Sequence, residues 1–255
     1  MTTNRRDAPA ADPVACIDDD YRCSHVDRGP SYDSTLAASP FEAYMAKWEG
    51  HWLTRFAQEQ FPHGIPRFLD FACGTGRITQ TVAPLAREAI GVDVSHSMLE
   101  IARAKCPHVR FIEADVTREP VALGHFDVVT AFRFLGNAQD ELRNDAVRTI
   151  SELLRPGGFF IVNNHRNPAS IATLLHRMTG GAHGMDLTYF KLRRLLLDHG
   201  FTIFRVRAIG SWLVRFSMQA RLQPTRSNAA RERLLTAAAF APFAPDMVVI
   251  ARKRA

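Results

Sequence analysis

Three acids stand out by their spacing. Asp70, Asp93 and Asp115 each follow a short apolar run, namely Phe68-Leu69, Ala89-Ile90-Gly91-Val92 and Phe111-Ile112. A carboxylate at the end of a buried strand can accept hydrogen bonds from the paired hydroxyls of a ribose. One such acid is ordinarily a turn residue, whereas three on successive strand ends form a polar wall. After the first run comes Ala72-Cys73-Gly74-Thr75-Gly76. Its glycines let the backbone turn tightly and approach a ligand, and the N–H groups opening the next helix attract a carboxylate or phosphate. A second group, Asn163-Asn164-His165-Arg166-Asn167, follows the apolar run Phe159–Val162. There His165 could take a proton from a reacting group, or could cap the turn before Pro168. Arg133, between Phe132 and Phe134, could orient an anionic acceptor, or pair with Asp127 or Asp140.

These residues need strands to carry them. Apolar runs and turn signals predict strands at 67–72, 88–93, 109–113, 126–132, 158–164, 201–208 and 246–252. Helices are predicted at 76–87, 96–106, 139–155, 168–178 and 186–199, with Ser95 and Asn167 as N-caps and Gly200 as a stop. Strands alternating with helices make an α/β fold, a doubly wound, mostly parallel sheet covered on both faces. Residues 1–35 lack apolar periodicity and read as a flexible tail. Residues 36–65 read as a helical cap, because Phe41, Tyr44, Met45, Trp48, Trp52 and Phe56 recur at spacings of three and four. The ligand-binding domain is expected over 66–255, with an insertion at 210–245 before the last strand.

Composition narrows the class. The 255 residues are 46% hydrophobic and 23% charged, which suits a globular protein and excludes a disordered chain. No run approaches the roughly 18 apolar residues of a membrane span, and no secretory signal is visible. The four cysteines are too sparse for a disulfide framework and have no zinc spacing, so a cytoplasmic setting is expected and no metal. Cys73 reads as a small buried thiol. From Phe190 onward there are 13 Lys/Arg against 3 Asp/Glu, while the preceding residues hold 19 against 23. That asymmetry raises an anionic partner, but no aromatic-basic platform accompanies it, so no nucleic acid is expected.

The loop discriminates between nucleotide cofactors. A dinucleotide site wants a third glycine where Thr79 stands, and Asp70 before the loop would repel a pyrophosphate. An acid there favours a ligand with an ammonium group, as in S-adenosyl-L-methionine. Leu69-Asp70-Phe71-Ala72-Cys73-Gly74-Thr75-Gly76 resembles the first motif of class I S-adenosylmethionine-dependent methyltransferases. Gly91-Val92-Asp93-Val94-Ser95 with Met98 is similar to their second motif and Ala114-Asp115-Val116 to their third. Phe126–Phe132 resembles their fourth strand, and Leu154-Arg155-Pro156-Gly157-Gly158 the turn before the fifth.

The resemblance implies a seven-stranded Rossmann-like sheet with an antiparallel last strand and an N-terminal helical lid. It implies that Asp70 holds the methionyl amino group, that Ala72, Gly74 and Gly76 shape the loop, and that Asp93 takes the ribose hydroxyls. Val94, Met98 and Val116 would bound the adenine, Asp115 would accept from its exocyclic amine, and Phe132 would border the methionyl end. Ala72 departs from the glycine of many relatives. The acceptor is read by elimination as a small molecule methylated on oxygen or nitrogen, since the proline-bearing motif of amino-methylating nucleic-acid enzymes is missing after Phe132. His165 is the expected base, with Arg133 beside it. Tyr44, Trp48 and Trp212 are expected to supply an apolar or aromatic acceptor pocket, with plain core packing as the alternative reading, favoured for the stripe that holds Tyr44 and Trp48. The alternatives are a non-catalytic cofactor-binding scaffold, or a methyltransferase acting on RNA or protein.

Overall fold

The computed structural model describes residues 21–23, 32–34, 38–119, 121–170, 173–174, 178, 186–209, 226, 230 and 241–255. In chain order these form α1 (Pro40–Gln60), β1 (Ile65–Phe71), α2 (Arg77–Val82), β2 (Ala86–Asp93), α3 (His96–Lys105) and β3 (Arg110–Glu113). Then follow β4 (Phe126–Ala131), α4 (Asp140–Leu153), β5 (Leu154–Asn164), α5 (Tyr189–Asp198), β6 (Phe201–Ile209) and β7 (Asp246–Lys253). The sheet runs β3-β2-β1-β4-β5-β7-β6. Strands β1 to β5 pair in parallel, and β7 lies antiparallel between β5 and β6. Strand order reverses between β1 and β4, so the carboxyl ends of β1, β2 and β4 border the crevice in which such sheets bind ligands.

Each face of the sheet is covered by a helical layer. Leu142, Ala146, Val147 and Ile150 of α4, with Leu192 and Leu196 of α5, pack on Leu69, Val129, Phe160 and Val249. On the other face α1 brings Tyr44, Met45, Trp48, Trp52, Leu53 and Phe56 onto Phe68, Val128, Phe159, Ile161 and Ile250. The N-terminal helix is therefore a layer of the core. Ser39 opens it by accepting from the Glu42 N–H, and Pro40 fits the first turn, where no intrahelical donor is needed.

Some boundaries differ from the sequence reading. The helix expected over 76–87 stops at Val82 and tightens into a turn over Ala83–Leu85, since Pro84 has no N–H to continue it. The helix expected from 186 starts at Tyr189, capped by the Thr188 hydroxyl, while Asp186 instead pairs with Arg143 and Lys191. The helix expected over 168–178 begins instead as a turn over 168–170, with residues 173 and 174 helical, and the 210–245 insertion falls largely outside the described residues.

Among the described residues, three other than glycine have left-handed backbones: Ala72 (φ 53), Arg133 (φ 58) and Arg166 (φ 56). They lie just past the carboxyl ends of β1, β4 and β5. Gly76, at φ 76, starts α2, where a Cβ would come within 3.1 Å of the Ala102 Cβ on α3. The loop after β1 thus needs glycine both for its turn and for the close approach of two helices.

Candidate active site

A cavity opens beyond the carboxyl ends of β1, β2 and β4. Its walls include Ala72, Gly74, Asp93, Val94, Met98, Asp115, Val116, Phe132 and Arg133. The structure therefore brings together most of the cofactor-site residues named from sequence. Gly76 acts from behind the loop, and a deeper recess reaches Asp70, Cys73, Thr75 and Arg77. Gly74 sits at φ 53 with open space where a Cβ would project, so the loop presents bare backbone to the cavity.

The three acids are held differently. Asp93 accepts from the Gly74 N–H at 2.7 Å on one oxygen and from the Ser95 N–H at 2.9 Å on the other. Burial raises its pKa. Asp115 accepts from the Thr117 hydroxyl and N–H on Oδ1, and from Arg22 Nε at 2.5 Å on Oδ2. Asp70 lies below the loop, its oxygens taking the Thr79 hydroxyl at 2.6 Å and the Thr130 hydroxyl at 2.7 Å. Burial pushes its pKa up to about 6, against the lowering effect of those hydroxyls. Burial also raises the Cys73 thiol well above its ordinary value, which leaves it no nucleophile at neutral pH.

The Asp70 shift has a measurable consequence. A carboxyl that titrates higher folded than unfolded favours the folded state in acid, and that advantage disappears as pH rises from about 4 through about 6. At neutral pH the buried charge is a penalty of up to about 3 kcal/mol, at 1.36 kcal/mol per pKa unit. Asp70→Asn is therefore expected to gain stability at pH 7 but not at pH 4. Urea unfolding at the two pH values measures this, and an equal effect at both would refute it.

Around Arg133 and His165 the structure assembles a network that the sequence did not show. The Arg133 guanidinium pairs with Glu42 of α1 rather than with Asp127 or Asp140, which bind Arg155 and Arg143. Its charge is thus already matched, which weakens its expected role as an anion clamp. The Arg133 N–H donates to Asn163 at 2.6 Å, and Asn163 donates to the fully buried Glu49, which also holds Arg77. His165 Nδ1 lies 2.5 Å from Asp246 Oδ1, with Nε2 3.7 Å from Glu42. Asp246 was unpredicted because it opens the last strand, 81 positions from His165. The antiparallel course of β7 carries that start to the end of β5, where Asn164 faces Met247.

Two expectations for the acceptor pocket change. Tyr44 and Trp48 are 2% and 1% exposed, packed between α1 and the sheet, and neither lines the cavity. A stripe of aromatics at helical spacing is the same pattern whether it faces core or ligand, and here the core claims it. Trp212 lies outside the described residues.

The segment read as a tail contributes described pieces of its own. Tyr21, Arg22 and Tyr32 stand on the cavity wall. The Tyr21 hydroxyl donates to the Arg133 carbonyl at 3.1 Å, and Asp33 takes the Thr75 hydroxyl and pairs with Lys105. Some basic C-terminal residues are structural too, as Lys253 donates to the Ser151 and Leu154 carbonyls and Arg205 pairs with Glu59. Among the described residues no cluster of three His, Cys, Asp or Glu could hold a metal ion, and no helix is long and apolar enough to cross a membrane.

Residues 68–158 match the family model described as a methyltransferase domain. Among curated proteins, the ubiquinone/menaquinone biosynthesis C-methyltransferase UbiE of Ectopseudomonas mendocina is 33% identical over 113 residues, 41% of this chain and 43% of that protein. The chain thus matches less than half the length of that relative. Among solved structures, the N-methyltransferase NodS of Bradyrhizobium japonicum WM9, in complex with S-adenosyl-L-homocysteine, superposes with a TM-score of 0.62 at 15% identity. That likeness covers 92% of this chain and 99% of the other. The magnesium protoporphyrin IX methyltransferase of Synechocystis PCC 6803 gives 0.60 at 14% identity, over 92% and 100%. At such identities the superpositions speak for the fold. Residues 68–158 thus match a methyltransferase domain, and the chain shares the fold of these methyltransferase structures.

Proposed function

We propose that this chain is a cytoplasmic enzyme that moves a methyl group from S-adenosylmethionine to an oxygen or nitrogen of a small apolar or aromatic acceptor. The observation that carries the reading is the single cavity wall on which bare loop backbone at Gly74, Asp93, Asp115 and the apolar Val94, Met98 and Val116 converge. This donor set fits the cofactor. Asp93 has a lone pair left on each oxygen for ribose hydroxyls, and Val94, Met98 and Val116 are placed to flank an adenine. The cofactor supplies a methyl group activated by a sulfonium.

The chain's own work is placement and proton handling. Asp70 faces the methionyl end, where an ammonium would stabilise its ionised form. Asp115 receives the exocyclic amine, for which Arg22 must give up Oδ2. Phe132 and Arg133 border the transfer point, and His165 takes the acceptor's proton. In-line displacement draws much of its acceleration from alignment, so a base matters most for a weakly acidic acceptor.

Calorimetry with S-adenosylmethionine and S-adenosylhomocysteine tests the cofactor, and labelled methyl donor in cell extract tests the acceptor. Asp93→Ala is expected to weaken cofactor binding by about 1.5–3 kcal/mol, the range for hydrogen bonds to a charged group. An unchanged dissociation constant would remove Asp93 from the ribose site. Binding of NAD without the methyl donor would overturn the reading. Label confined to RNA or protein would overturn the small-molecule acceptor. A carbon acceptor is the second reading, favoured by the curated relatives named C-methyltransferases; NMR of the product separates the two.

A further inference from the structure

A histidine works as a base only when one ring nitrogen is unprotonated and faces the reacting group, and something must select that nitrogen. His165 is 8% exposed and Asp246 is fully buried. Their separation of 2.5 Å, from Nδ1 to Oδ1, is a hydrogen bond between charged or ionisable partners. The same Oδ1 accepts from the Arg166 N–H at 2.9 Å, which fixes the carboxylate in place. Among the described residues Asp246 Oδ2 is buried without a hydrogen-bond partner that would compete with the ring for the carboxylate. On the opposite side, Nε2 stands 3.7 Å from Glu42, too far for a hydrogen bond, and Glu42 is engaged by Arg133, which lines the cavity. The ring is thus tied at Nδ1, while Nε2 faces Glu42 without a hydrogen bond, and the partner of Glu42, Arg133, lines the cavity.

We propose that Asp246 is a positioning residue for methyl transfer, holding His165 as the Nδ1–H tautomer so that Nε2 takes the proton of a hydroxyl or amine acceptor. The inference rests on the methyltransferase reading above. In the step it serves, the acceptor's oxygen or nitrogen forms a bond to the methyl carbon and the carbon–sulfur bond breaks, its electron pair staying on sulfur. The proton of the acceptor goes to Nε2. The ring that receives it lies between the Asp246 and Glu42 carboxylates. The acceptor class follows: a group that carries a proton to lose.

The test needs neither acceptor nor turnover. Nitrogen-15 NMR of the full chain, with His165 assigned by its loss in His165→Gln, reads the protonation of each ring nitrogen at neutral pH. The expected spectrum has a protonated Nδ1 and an unprotonated Nε2, and Asp246→Ala is expected to lose that bias. A protonated Nε2 in the unmodified protein, a doubly protonated ring, or an unchanged tautomer in Asp246→Ala would each overturn the proposal. If Asp246→Ala does not fold, the spectrum of the unmodified protein decides alone. Calorimetry with S-adenosylhomocysteine runs alongside. Both Asp246→Ala and His165→Gln are expected to bind it within about twofold of the unmodified protein, and a loss beyond tenfold in either would overturn the separate placement of the pair at the acceptor. Failure of the unmodified protein to bind would instead count against the methyltransferase reading, whatever the tautomer.

Discussion

Replacing His165 with alanine is expected to lower turnover of the acceptor found by labelling about 10²–10⁴-fold, the usual contribution of a positioned base. Cofactor affinity is expected to hold, because His165 is absent from the wall that gathers Asp93, Val94, Met98, Asp115 and Val116. The split between the two readouts is the point. A loss confined to the rate marks an interaction made only as the reaction proceeds. A change under tenfold would show transfer driven by alignment, as a readily ionised phenol or carboxylate permits. An equal loss in cofactor binding would show that the Asn163–Asn167 turn is structural and that His165 serves the fold.

Trp48→Ala is expected to destabilise the protein by about 3–5 kcal/mol, the range for removing a buried large aromatic. The indole is 1% exposed and packs against Tyr44, His51 and Trp52 with ring centroids about 6 Å apart. In a chain of this size such a loss lowers the melting temperature by roughly 2–4 °C per kcal/mol. Trp48→Phe is expected to cost much less. It keeps most of the apolar volume and deletes an indole N–H that is buried with no partner. The melting temperatures of the two variants measure the difference, and the acceptor's Michaelis constant in Trp48→Phe is expected to stay at its normal value. A raised constant with unchanged stability would return Trp48 to the acceptor pocket.

Those two residues illustrate what was readable in advance. The acids at 70, 93 and 115 were legible because the chemistry is local: each follows its own apolar run, and a parallel sheet brings such ends to one edge. The place of His165 just past the end of β5 was legible for the same reason. Its partners were not, because Glu42 and Asp246 reach it only through the placement of α1 and the antiparallel course of β7. An acid opening an antiparallel last strand is a usable signal once the topology is expected, since that strand begins where the parallel ones end. For Trp48 the sequence left core and pocket both open, as amphipathic periodicity tells which face is apolar and not what covers it. Arg22 and Asp33 sit in a stretch with no apolar pattern, and single ionic contacts to Asp115 and Lys105 leave no periodic trace.

The left-handed backbones at Ala72, Arg133 and Arg166 bear on how this protein would respond to selection for heat resistance. Each costs about 1–2 kcal/mol relative to an unstrained residue, against a total stability of about 5–15 kcal/mol for a typical domain. A laboratory lineage screened only for survival at higher temperature would find glycine at position 72 early. Ala72→Gly removes one methyl group and no hydrogen-bonding group, and is expected to gain about 0.5–1 kcal/mol after the extra chain entropy of glycine is counted. Thermal melts of Ala72→Gly would show the gain, and a lower melting temperature would mean the alanine is not strained. The same route is closed at Arg133, where glycine would release Glu42 and with it the contact between α1 and the end of β4. Heat-adapted descendants should therefore relax the loop after β1 and keep the strain at the end of β4.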